Sequence, residues 1–175
     1  LKSFYHGFAE PLLRGYCPGM PCSEHFVARQ KSVFVPLVFF RVSHRGTRTG
    51  LDYIDSTALP VCDNHRINRH KVFADLAPRG KTSMGWFFGF KLHLVFNNDN
   101  EIVALKLTPG NLHDTQPVPA LTRDLTGKLF GDKGYIGRKL AEDLLRRGLT
   151  LFTRVRRNMK ALPMSLHDKA LLNAR

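Results

Sequence analysis

From Trp86 to Phe96 the chain alternates. Phe88, Phe90, Leu92 and Leu94 fall on one face of an extended strand, and Phe87, Lys91 and His93 on the other. Asn97-Asn98-Asp99-Asn100 then reads as a turn and Ile102–Leu107 as the returning strand, so the pair forms a hairpin. The period changes to helical at Arg138–Arg147, where Leu140, Leu144 and Leu145 are expected to point inward and Gly148 to close the helix. Around these lie three shorter apolar runs. The Tyr53-Ile54-Asp55 region ends in an acid, Lys128–Gly131 runs into Asp132, and Leu149–Val155 follows the helix. Asp114 is placed to cap a helix over Thr115–Asp124, with Pro117 tolerated in its first turn. The predicted order is three strands, a helix, a strand, a helix and a strand. That order implies an α/β fold with a mixed sheet and flanking helices.

The first part of the chain is of another kind. Phe4, Phe8, Leu12 and Leu13 recur at helical spacing ahead of a break at Cys17-Pro18-Gly19. Ser23 is placed to cap a second helix through Phe26 and Val27, and Val33–Val42 is apolar, as helix or strand. Ser43–Gly50 is small, glycine-containing and basic, as in a linker or exposed loop. We therefore expect a small helical N-terminal region over residues 1–48, a candidate for DNA contact, and a larger domain over 49–175.

Charge narrows the possible partners. The 175 residues carry a net charge of +13 at pH 7, with a pI near 10.2. This favours a polyanion, nucleic acid before an anionic membrane. The longest apolar run, Val33–Phe40, is too short to span a bilayer and contains Pro36, so no membrane association is expected. No signal-peptide pattern follows Leu1-Lys2-Ser3, and three cysteines without framework spacing imply a reducing, cytoplasmic compartment. Cys17, Cys22 and His25, with Cys62 and His65 elsewhere, could be read as a zinc site, but the Cys-x4-Cys-x2-His spacing has no matching second half nearby, and the cysteines are expected to be reduced, partly buried thiols.

The chemistry is expected at two acids. Asp55 ends the first core strand, and Asp132 lies in Gly131-Asp132-Lys133-Gly134-Tyr135, at the mouth of a buried strand. Hard carboxylate oxygens at two strand ends of a basic chain suit metal-assisted phosphoryl transfer on nucleic acid. The alternative for each is a surface turn or a helix cap. Lys91 and His93 share a strand face near this site, to meet phosphate oxygens or to face solvent. His93, His113 and Asp114 are candidates to support the metal ligands from behind. Lys133 is a candidate DNA-backbone contact, and Tyr135 a packed turn aromatic. Arg66, Arg69, Lys71, Arg79 and Lys81 lie in a basic, irregular insertion over Asp63–Lys81, either a solvated loop or a surface that tracks a DNA backbone.

Four strings occur in order: Ile54-Asp55-Ser56-Thr57, Gly85–His93, Thr108-Pro109-Gly110-Asn111-Leu112-His113-Asp114 and Gly131–Tyr135. Together they resemble the DDE-type transposases of bacterial insertion sequences, over roughly Leu51–Lys160. The resemblance implies a ribonuclease-H-like core that cuts at the ends of its element and joins the freed 3′ hydroxyl to target DNA. It implies Asp55 and Asp132 as catalytic metal ligands, Mg²⁺ with Mn²⁺ as substitute, double-stranded DNA as partner, and a homo-oligomer on that DNA. The family's third acid is a glutamate on a helix after the fifth strand. After Val155 this sequence offers one acid, Asp168, so the third ligand is expected beyond it and the core to be truncated. The alternative function is a catalytically incomplete transposase that only binds DNA.

Overall fold

The computed structural model describes residues 2–71, 73, 75–155, 159 and 164–173. By its contacts the chain divides into two units, Leu1–His44 and Arg45–Arg175.

The first unit is helical. A helix α1 (Lys2–Phe4) runs through a π-helical turn (Tyr5–Ala9) into α2 (Glu10–Leu13), and α3 spans Ser23–Ser43. Val33–Val42 is thus helix, with Pro36 inside it. Tyr5 is buried, its hydroxyl donates to the Pro21 carbonyl, and its ring packs 5.3 Å from that of Phe26. Ser23 is not the cap. Cys22 holds the extended cap position, and no side chain there makes a capping bond. Cys17 and Cys22 are exposed rather than partly buried, and Cys62 in the second unit is half-buried.

In the second unit, β1 (Leu51–Cys62), β3 (Gly85–Asn97) and β4 (Ile102–Pro109) are consecutive antiparallel neighbours. A short β2 (Arg79–Thr82) pairs with the start of β3, so the basic insertion contributes a strand after a 3-10 turn (Asn64–Arg69). Beyond β1 the sheet continues with β5 (Gly127–Gly131) and β6 (Leu149–Thr153), both parallel. Between β4 and β5 lies α4 (Val118–Leu121), between β5 and β6 lies α5 (Arg138–Arg146), and α6 (Leu166–Asn173) follows β6. Three antiparallel strands, then strand-helix alternation onto the other edge, with helices against the sheet, is the ribonuclease-H-like arrangement. Of the basic tail, residues 156–158 and 160–163 lie outside the described residues.

Each β1 side chain faces one of two environments, because alternate residues point to opposite sides of the pleat. Ile54 joins Val95, Val103, Val118, Leu129, Leu144 and Leu149 in the core. On the other face the rings of Phe96, Tyr53, Phe130 and Phe152 follow one another from strand to strand, at 5.6, 5.4 and 5.3 Å. There Lys128 meets Asp168 of α6 at 2.6 Å.

Three local expectations change. The buried face of β3 is that of Phe87, Lys91 and His93, while Phe90, Leu92 and Leu94 are only half-buried. Leu145 is 61% exposed: Leu140 and Leu144 sit one turn apart on α5, and Leu145 lies about 100° further round. The stretch from Arg45 is not a free linker. Gly46 N–H donates to the Ile102 carbonyl, Arg45 Nε to that of Val103, and Thr47 N–H to Glu101. Among the described residues no helix is long and apolar enough to cross a membrane.

Candidate active site at the edge between β1 and β5

Parallel pairing of β1 with β5 creates the site. Leu51, Asp52 and Tyr53 stand opposite Lys128, Leu129 and Phe130. Two steps further the same register brings Asp55 opposite Asp132, on the face of the aromatic ladder and just past the end of β5. Both acids are exposed. Together with Gly131, Arg154 and Leu172 they line one recess of about 220 Å³.

Local backbone orients each carboxylate. Asp55 Oδ1 accepts the N–H of Ser56 at 2.8 Å. Asp132 caps the turn Lys133–Tyr135, its Oδ1 accepting the N–H of Gly134 at 2.8 Å. A Cβ on Gly134 would stand 2.9 Å from Asp132 Oδ1 and 3.3 Å from Asp114 Oδ2, so glycine there lets the turn fit between two acids.

Behind this edge is a buried polar network. Lys91 Nζ donates to Asp114 Oδ1 and to the Leu112 carbonyl, each at 3.0 Å, and Ser56 Oγ donates to the same Asp114 oxygen at 3.1 Å. Asp114 therefore does not cap α4. That helix starts at Val118 with Pro117 in the cap position, three residues too late for Asp114 to serve it. Lys91 is 7% exposed and turned into the protein, so it does not face a DNA backbone. His93 is fully buried and shares a hydrogen bond of 2.9 Å with Thr108 Oγ1. Burial holds its pKa below the ordinary histidine range, and nearby Lys91 and Lys106 add to this against the opposing pull of Asp114. A fully buried imidazole does not meet phosphate oxygens. Tyr135 packs in the core beside Ser56, and burial pushes its hydroxyl pKa up.

The other expected residues are distributed more widely. His113 is exposed and bonds Thr115 Oγ1 at 2.8 Å rather than either acid. Lys133 is exposed beside Asp132. Arg66 and Arg69 on the 3-10 turn, Lys71 after it, and Arg79 and Lys81 on β2 are all exposed. Asp168 is buried, taking Lys128 Nζ and the Ser165 hydroxyl at 2.8 Å. The bond from Lys128, then that from Ser165, holds its carboxyl below the usual range. One turn later Leu172 reaches the recess, and its carbonyl accepts from Arg154 Nη2 at 3.3 Å. Sequence reasoning missed Arg154. Its signal was position alone: it directly follows β6, the strand next to β5.

The sequence profile of the family described as "Transposase DDE domain" matches residues 45–175. The chain belongs to this family. Among curated proteins none matches it. One solved structure similar to this chain is "Cryo-EM structure of piggyBac transposase synaptic complex with hairpin DNA (SNHP)", with a TM-score of 0.47 and 17% identity. The alignment covers 82% of this chain and 32% of that one, so this chain spans about a third of its length. The family match begins at Arg45, where the second unit begins, and takes in both Asp55 and Asp132.

Proposed function

We propose that this transposase domain cleaves the ends of an insertion sequence and transfers the freed strand to target DNA, with Asp55 and Asp132 as ligands of the catalytic metal. The observation that carries this reading is the β1–β5 register, which gives two exposed carboxylates one edge and one recess. Such oxygens suit a hard divalent cation. Among the described residues no three metal-binding groups stand close enough to complete a site. When bound, Mg²⁺, or Mn²⁺ in its place, activates the attacking oxygen and stabilises the leaving one.

The chain's own residues orient and attract. The N–H groups of Ser56 and Gly134 hold the carboxylates toward the recess. Arg154 offers a guanidinium at its wall to the scissile phosphate. Lys133 beside Asp132, with Arg66, Arg69, Lys71 and Lys81 on the basic surface, binds the DNA backbone. The Lys91–Asp114–Ser56 network fixes the strand that carries Asp55. Asp168 is committed to Lys128 and does not serve as a third acidic ligand. The domain acts as a homo-oligomer on DNA in the cytoplasm.

A second reading is a DNA-binding module without cleavage, and the engagement of Asp168 favours it. Manganese binding separates the two. Electron paramagnetic resonance of the chain titrated with Mn²⁺ should give a bound signal that Asp55→Asn and Asp132→Asn each weaken, with DNA binding retained. An unchanged signal in both variants would overturn the metal-ligand assignment.

A further inference from the structure

The hairpin of β2 and β3 carries a feature that strand cleavage does not use. Trp86 is 56% exposed although it sits within a strand. Lys81 is its cross-strand partner, with Nζ 5.4 Å from the ring centroid, and Arg79 on the same face of β2 places Cζ at 6.0 Å. Asn64 Nδ2 donates to the Trp86 carbonyl at 2.7 Å, tying the 3-10 turn with Arg66 and Arg69 to the same strand. Between Asn64 and Trp86 the sequence holds five lysines and arginines against one acid, Asp75. The surroundings select a polyanion, and the ring adds a flat apolar face that phosphate contacts do not require.

Distance separates this patch from the acids. Leu94 is the cross-strand partner of Asp55, and Trp86 lies eight residues further along β3. At about 3.3 Å per residue this is roughly 26 Å. Trp86 is thus too far away to touch the nucleotide being cut, yet within reach of the same DNA molecule.

We infer that Trp86, flanked by Arg79 and Lys81, is a stacking site for an unpaired DNA base. A duplex keeps its base faces covered, whereas a single strand presents a π-face to an exposed indole and its phosphates to neighbouring cations. The inference rests on the reading of this domain as DNA-binding.

Trp86 is the one tryptophan in the sequence, so intrinsic fluorescence reports on it alone. The full chain is titrated with an oligothymidylate of about ten nucleotides and, separately, with a duplex, each carrying a terminal fluorophore for anisotropy. Stacking predicts that the single strand quenches Trp86 emission as it binds and that the duplex binds with little quenching. Trp86→Ala should weaken single-strand binding by at least about fivefold while Trp86→Phe retains most of it; duplex affinity changes less. Single-strand binding without quenching, and unchanged in Trp86→Ala, overturns the stacking site while DNA binding stands. If neither DNA binds, the DNA-binding reading fails and the stacking site with it.

Discussion

Asp52 and Asp55 lie three residues apart on β1, at its start and near its middle, and an odd spacing puts them on opposite faces of the sheet. Asp52 is 1% exposed, and neither of its carboxylate oxygens has a hydrogen-bond partner among the described residues. Burial pushes its pKa up to about 6. Asp55 is exposed, oriented by a backbone N–H, and shares a recess with Asp132 and Arg154. The residue type is the same, and the strand is the same. Metal-ligand chemistry needs a carboxylate that solvent and substrate can reach, and on β1 the Asp55 face provides one. At the start of the strand the charged form is instead a burden on folding.

The largest effect expected from breaking this contrast is on catalysis. In the transposase, Asp55→Asn or Asp132→Asn should reduce Mg²⁺-dependent strand cleavage by at least about 10³-fold, the several kcal/mol that a correctly held metal contributes. Gel analysis of labelled element ends, with binding measured in parallel, checks this, and retained cleavage in either variant would sink the assignment. Urea denaturation should show both variants near wild-type stability, since these side chains are exposed.

The network behind the edge comes next. Asp114→Ala leaves the Lys91 ammonium buried without its partner and should destabilise the domain by about 3 kcal/mol. The double variant Lys91→Met with Asp114→Leu should recover most of that loss. If the single variant were neutral in urea denaturation, the ion pair would not hold this part of the fold.

Asp52→Asn should act in the opposite direction. A carboxyl whose folded pKa is raised contributes best when protonated, so wild-type stability falls as pH rises from about 4 to about 6. The neutral variant escapes this loss. It should match wild type near pH 4 and exceed it by about 2 to 3 kcal/mol at pH 7. A difference that did not vary with pH would place the charge of Asp52 elsewhere. The smallest change is Leu145→Gln on the outer side of α5, within about 0.5 kcal/mol of wild type by thermal unfolding.

Much of this was legible in the sequence. The alternation of Trp86–Phe96, the turn after it, the leucine spacing of α5 and the acids closing two apolar runs reflect local periodicities, and local rules govern them. The strand order and the roles expected of Asp55 and Asp132 followed from these together with the family's strings. The cap reading of Asp114 failed because a cap needs only sequence proximity, whereas its observed partner, Lys91, arrives from another strand. Lys91 and His93 were misread because a pleated strand has two faces and its own residues do not say which one helices will cover. Here the face carrying two ionisable groups is the buried one, made tolerable by Asp114 and Thr108.

By itself, then, the sequence determined most of the elements, their order and the two acids that follow apolar runs, since backbone periodicity and turn chemistry act over a few residues; Asp55 stands within β1 rather than at its end, because the strand runs on to Cys62. Only the tertiary structure decided that Asp55 and Asp132 meet at one recess, that Arg154 joins them, and that Asp168 is bound to Lys128 instead. It also decided that Trp86 stands in the open between two cations. Each of these depends on strand register and on the packing of chain segments far apart in sequence, where burial rather than local preference sets the outcome.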